Sequence, residues 1–306
     1  MIKSITVINH LGESLAIDIF KPEKSGFLIK KIDGLGPVKT DVNMTDIATA
    51  DGAIDNSARL QKRNIVLYLM FWQDNEENLS IEDLRLKTYR YFPDKQIVTF
   101  RVETDSRVAE VYGRIESNEP DIFSEKEGCQ ISIVCGDPFF YSIIGRNKTI
   151  LSGVDPLFEF PFSNESLDEP LLNFGEILLY TEGSVHYVGD SETGIVITFH
   201  AIGPVSGIVI YDIDTKGKIK ILDDKLTALT GSGIIAGDNI IINTNRGSKS
   251  AYLLRNGVYT NILNTLERPA SWFQISKGDN LFAFTAEEGL LNLRCMITND
   301  VVYDGV

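Results

Sequence analysis

The chain has 306 residues, 43% of them hydrophobic, which is enough to bury a sizeable core and, by length, favours about two domains of roughly 150 residues. Acidic residues outnumber basic ones 43 to 29, and the net charge of -14 argues against a nucleic-acid reader, because a phosphate backbone needs a clustered basic surface. Solubility is the plain meaning of the acidity. The opening Met1 to His10 lacks a basic region and an apolar core of signal-peptide length, and no stretch reaches the ~18 apolar residues that span a bilayer, so no membrane contact and synthesis in a cytoplasm are expected.

Taken in order, Ile2 to Ile8 and Ser14 to Phe20 alternate around Asn9-His10-Leu11-Gly12, a hairpin pattern. Phe27 to Ile32 suggests a further strand, stopped at Asp33-Gly34-Leu35-Gly36-Pro37. Thr40 to Leu60 is polar and poorly periodic and reads as a long loop or arm, with Ala50-Asp51-Gly52-Ala53 at its tip. Loops of that length are uncommon in compact domains, and both a partner contact and plain disorder fit. Its residues Thr40, Asp41, Asp51, Gly52 and Asp55 are the candidate inter-subunit or partner contacts. Asn64 to Phe71 is a short apolar run that predicts a strand buried on both faces, the spine of a sheet, with Cys129 to Tyr141 as its partner up to the Gly136-Asp137-Pro138 turn. Between them Ser80 is an N-cap with Asp83 three positions on, and Ile81, Leu84, Thr88 and Tyr91 recur at helical spacing, which predicts a helix over Ile81 to Tyr91. Gln96 to Thr104 and Ala109 to Ser117 alternate as strands.

The fold class expected is mainly β: an α+β N-terminal domain over 1–146, a linker and crossover over 147–174 punctuated by Gly153, Pro156, Pro161 and Pro170, and a C-terminal β-sandwich over 175–306. In that last part, strands recur at about 8 to 12-residue spacing, from Gly175 to Tyr180 through Leu291 to Thr298, and no helix is needed. Asn256-Gly257 is its strongest hairpin signal.

Reactive constellations are sparse. His10 lies in the first turn, His186 and His200 sit in separate strands with no His, Cys or carboxylate neighbour at ligand spacing in the sequence, no Gly-x-Ser-x-Gly elbow occurs, and Gly231 to Gly237 leads into a strand pattern rather than a helix. Cys129 and Cys135 lie about 20 Å apart along one strand, too far to bridge, so buried free thiols are expected. No catalytic, cofactor or metal site is expected. Trp272 is a candidate glycan contact, although its run Ser271 to Ile275 favours core packing.

Several stretches carry a resemblance: Ile32-Asp33-Gly34-Leu35-Gly36-Pro37, Arg63 leading into Ile65 to Phe71, the helix followed by Tyr91-Phe92-Pro93, Tyr112-Gly113-Arg114-Ile115, Ile131 to Tyr141, and Tyr187-Val188-Gly189-Asp190. Together they make the chain resemble the siphophage distal tail protein family of Gram-positive phages, prophages and tail-like bacteriocins. The resemblance implies a β-rich belt domain that assembles as a homohexameric ring and a galectin-like or carbohydrate-module-like outer sandwich. It further implies a virion tail-tip location and partners comprising the tail tube protein, the tape-measure protein, the tail-tip hub or tail-associated lysin, and receptor-binding or baseplate proteins that serve host adhesion. DNA would pass the ring without specific binding, and the net charge of -14 adds the expectation of an acidic bore that repels it. The alternative is a cell-wall carbohydrate-binding module acting through the C-terminal sandwich.

Overall fold

The computed structural model describes residues 1–47, 51–73, 80–143, 146–151 and 181–306. The chain divides into two compact units, Met1–Gly145 with Val302–Val306, and Arg146–Val301. The expected strand over Gly175 to Tyr180 and most of the expected linker lie outside the described residues.

Unit 1 comprises β1 (Ile2–Ile8), β2 (Ser14–Asp18), β3 (Phe27–Asp33), β4 (Thr40–Asp46), β5 (Ala53–Leu60), β6 (Arg63–Phe71), α1 (Ile81–Tyr91), β7 (Ile97–Thr104), β8 (Val108–Asp121), β9 (Gly128–Cys135) and β10 (Phe140–Ser142). Its main sheet runs β2-β1-β7-β8-β9-β6-β3, all antiparallel. The pairing of β6 with β9, from Arg63↔Cys135 to Met70↔Gly128, is the one expected from sequence. The spine is not. β6 lies next to the edge strand β3, and the middle of the path is β8, a fourteen-residue strand that also pairs β10. Nor is β6 buried on both faces: Arg63, Ile65, Leu67, Leu69 and Phe71 point into the core while Val66, Tyr68 and Met70 stay half-exposed. An apolar outer face makes a one-sided strand imitate a doubly covered one.

Among the described residues of unit 1, the helix α1 packs on this sheet. Ser80 caps α1 by accepting from the Asp83 backbone N–H while the Asp83 carboxylate accepts from Ser80 N at 3.0 Å, a reciprocal capping box. Leu84 and Thr88 form its buried stripe. Leu84 seats on Gly26, where a Cβ would stand 2.3 Å from its Cδ2. The three basic residues of the helix pin it to the loops that lead into β2, β3 and β9: Arg85 approaches Glu127, Lys87 donates to Ser25 O at 2.9 Å, and Arg90 grips Glu13. Bulges between Ile29 and Lys31 and between Ile115 and Ser117 bend the strands beneath, allowing one sheet to wrap its own core.

Unit 2 comprises β11 (Asn147–Ile150), β12 (Glu182–Tyr187), β13 (Thr193–Gly194), β14 (Val196–Ala201), β15 (Val209–Asp212), β16 (Gly217–Lys220), α2 (Asp223–Thr230), β17 (Asn239–Asn243), β18 (Ser250–Arg255), β19 (Val258–Asn261), β20 (Gln274–Ile275), β21 (Gly278–Thr285) and β22 (Leu293–Asn299). Residues 147–150, read from sequence as the start of the linker, form β11 on the edge of a six-stranded sheet ordered β11-β22-β14-β17-β18-β19. A four-stranded sheet, β12-β21-β15-β16, contributes to the same core. Phe199 of the first sheet meets Phe284 of the second with ring centroids 6.2 Å apart, and the arrangement is a sandwich. The Asn256-Gly257 turn joins β18 to β19 as expected, both residues at positive φ, 50° and 79°.

The helix α2 corrects the expectation that no helix is needed in this part. Only Leu226 is buried, so two turns carry no readable period. Its signals are the acidic pair Asp223-Asp224 at the start and Gly231 at φ 78° closing the end.

The last strand, β23 (Val302–Tyr303), belongs to unit 1 and pairs with β10 through Phe140↔Tyr303 and Tyr141↔Val302. Unit 2 is therefore an insertion between Gly145 and Val302 of unit 1.

Candidate assembly surfaces

The stretch read as a long loop or arm is a β-ribbon. β4 and β5 pair from Thr40↔Leu60 to Asp46↔Ala53, with a bulge at Asn56, and form a two-stranded sheet of their own. Every described residue from Asn43 to Leu60 is exposed, which is why alternation is weak: a ribbon covered on neither face has no reason to keep its polar residues on one side. The register places Thr40, Val42 and Met44 on one face with Ala58 and Leu60, and Asp41, Asn43, Ser57 and Arg59 on the other. Val42, Met44 and Ile54 are 52%, 58% and 57% exposed.

Of the candidate contact residues, Thr40 and Asp41 stand at the base of the ribbon. Asp41 accepts from Gln61 Nε2 and lies 3.6 Å from Arg59 Nε. Asp51 and Gly52 are at its tip, Gly52 with φ 103° and its carbonyl accepting from Ile47 N. Asp55 faces Met44. Residues 48–50 lie outside the described ones. The apolar members of the ribbon, Val42, Met44 and Leu60, were missed by the sequence reading; the i, i+2 spacing of the first two was the available signal. An isolated two-stranded ribbon is marginal in water, so this element needs a surface to lie on.

A second construction lies in the body of unit 1. Arg63 is 1% exposed, and its guanidinium donates to four backbone carbonyls: Nε to Pro138 O at 2.6 Å, Nη1 to Gly34 O and to Gly36 O at 2.7 Å, and Nη2 to Asp304 O at 2.6 Å. Its carbon stands 4.5 Å from the Phe140 ring centroid. Burial pushes its pKa below the ordinary guanidinium value, opposed by Cys135, Asp304 and Asp137 nearby. The Gly34 to Gly36 turn, the Gly136 to Pro138 turn and the chain end are thus knotted on one side chain. Three stretches that stood far apart in the sequence meet here.

Among the described residues, those able to carry chemistry do not converge. His186 Nδ1 is 2.7 Å from Asp279 Oδ1 across the β12–β21 pair, a carboxylate neighbour that sequence spacing did not reveal, and both groups are exposed. His200 Nδ1 is 2.9 Å from Asn239 Oδ1. Cys129, Cys135 and Cys295 are buried and take part in no disulfide among the described residues. Burial raises Cys129 to about 12, Cys135 to about 11 and Cys295 higher still, which suppresses the thiolate each would need as a nucleophile. Among the described residues no three His, Cys, Asp or Glu side chains cluster at metal-binding distance, and no helix is long and apolar enough to cross a membrane.

Trp272 is half-buried against the core of unit 2, with Lys249 Nζ 5.4 Å from its ring centroid. It borders an open groove of about 600 Å³ lined by Leu263, Leu266, Arg268, Pro269 and Ala270.

No family model matches the sequence, and no curated protein matches it. Solved structures do. The chain is similar to the Dit (gp 19.1) protein of phage SPP1, described as a paradigm of the hub adsorption apparatus in phages infecting Gram-positive bacteria, at 14% identity over 97% of this chain and 99% of that one, with a TM-score of 0.62. Shallower likenesses run to the phage P2 baseplate in its activated conformation with Ca, at 12% identity over 100% of both chains and a TM-score of 0.46, and to the same baseplate with Sr at 10% identity over 97% of each chain and 0.43. The fold of this chain is similar to that of the SPP1 Dit protein.

Proposed function

We propose that this protein is a structural component of a phage or prophage tail tip that acts without catalysis. Six copies close through unit 1 into a ring joining the tail tube to the tail-tip hub, and unit 2 presents a surface to receptor-binding or baseplate proteins. The observation that carries this reading is the likeness to SPP1 Dit over 97% of the chain. Since one fold hosts many functions, the exposed ribbon adds separate support: it offers apolar side chains and a row of backbone groups that gain a cover only from a neighbour. The scattered, neutralised or exposed reactive groups fit a part whose work is contact. A net charge of -14 suits a lumen through which DNA slides without binding.

Native mass spectrometry across concentration, alone and with the tail tube protein, tests the reading. A species of six chains is expected, and the pair Val42→Glu and Met44→Glu should reduce it to monomer without unfolding either unit. A chain that stays monomeric even with the tube protein present overturns the ring.

A further inference from the structure

We propose that the groove beside Trp272 docks an extended segment of a partner protein in which an apolar side chain is flanked by carboxylates. Its floor is Leu266, 2% exposed, and its walls are Leu263, Pro269, Ala270 and Trp272. An apolar cleft of about 600 Å³ is roomy enough for one large side chain and its backbone. What identifies the occupant is charge. Arg268 lines the groove, and Lys249 stands 5.4 Å from the Trp272 centroid.

Among the described residues neither cation has a carboxylate partner, and Arg268 donates to Asn264 Oδ1 at 3.3 Å. Of the other described cations of unit 2, Lys218, Lys220, Arg246, Arg255 and Lys277 each face an acid, while Lys148, Lys216, Lys225 and Arg294 have no ion pair either; what sets Arg268 and Lys249 apart is the apolar cleft beside them. Two uncompensated cations at the rim of an apolar cleft, on a chain with a large acidic excess, are complementary to acidic side chains around an apolar anchor. The ammonium over the Trp272 ring occupies a face that a sugar would need for stacking, which favours a peptide over a glycan. This inference does not depend on the ring.

The experiment uses the full chain carrying Trp72→Phe, so that Trp272 is the sole tryptophan, and follows its fluorescence on titration. The probes are a synthetic peptide with a central Leu-Phe pair flanked by glutamates, its counterpart with lysines in place of glutamates, polyglutamate, and penta-N-acetylglucosamine. The acidic-apolar peptide is expected to give a saturable change that weakens with salt, and the lysine counterpart and polyglutamate none. The double variant Lys249→Glu, Arg268→Glu should lose at least about tenfold in affinity for the acidic peptide and gain binding of the lysine peptide, at an unchanged melting temperature. Equal binding of both peptides, binding of the oligosaccharide in their place, or no saturable change with the acidic peptide overturns the proposal. So does a fall in oligomeric mass in the double variant, which would assign the groove to a second copy of this chain.

Discussion

Arg63 carries a positive charge into the interior of unit 1 with carbonyl oxygens, rather than a carboxylate, as its partners. Removing it takes the guanidinium donors away from the part-buried carbonyls of Pro138, Gly34, Gly36 and Asp304. Arg63→Met is therefore expected to cost about 2–4 kcal/mol in urea unfolding, on the order of 0.5–1 kcal/mol for each of the four lost hydrogen bonds. Arg63→Lys should recover little, because a point ammonium cannot span donors spread over a planar fork. A loss below about 1 kcal/mol in the Met variant would mean that water satisfies the four carbonyls. Glu13 is a different case, at the surface. Hydrogen bonds from Arg90 and Asn9 hold its carboxyl at about 2, well below the ordinary 4.5. A depressed carboxylate stabilises the fold above its unfolded pKa and loses that contribution as pH falls through the folded value. The melting temperatures of wild type and Glu13→Gln should thus differ at pH 6 and converge between about pH 4.5 and 2. A constant difference across that window would remove the ionic origin.

At the scale of elements, Gly34 and Gly36 look equivalent in the sequence and are not. Gly34 sits at φ 87° with a virtual Cβ 2.0 Å from the Asn64 carbonyl, whereas a Cβ on Gly36 meets nothing within 4 Å. Gly34→Ala should lose more than about 2 kcal/mol, since both strain and a backbone clash oppose it, while Gly36→Ala should stay within about 0.5 kcal/mol of wild type by denaturant unfolding. Equal effects would show that the turn, rather than the close approach to β6, decides the matter. The ribbon β4–β5 illustrates the opposite regime, in which an element contributes little to the stability of its own chain and its apolar face is available to a neighbour.

For the whole molecule, the insertion of unit 2 between Gly145 and Val302 makes the chain end part of the first unit's fold. Val306 N donates to Leu35 O at 3.1 Å, and Tyr303 lies under the Arg107 guanidinium at 4.4 Å. Deleting Val302–Val306 should lower hydrogen-exchange protection in β10 and around Leu35 while leaving β14, β17 and β22 of unit 2 protected. Unchanged protection in β10 would show that the return strand is decorative.

The sequence by itself determined the local elements whose signals are short-ranged: the capped helix from Ile81, the Asn256-Gly257 hairpin, the alternating strands of the sandwich and the β6–β9 pairing. It misplaced the centre of the first sheet, hid the ribbon and passed over the helix at Asp223, because strand order is set by pairing between distant segments and because exposed or two-turn elements carry no hydrophobic period. The convergence of Gly34, Gly36, Pro138 and Asp304 on Arg63, the return of the last five residues to unit 1, and the groove beside Trp272 were decided only in three dimensions. Each depends on backbone atoms or unpaired charges brought together across up to 241 positions of chain, and residue identity does not encode such proximity.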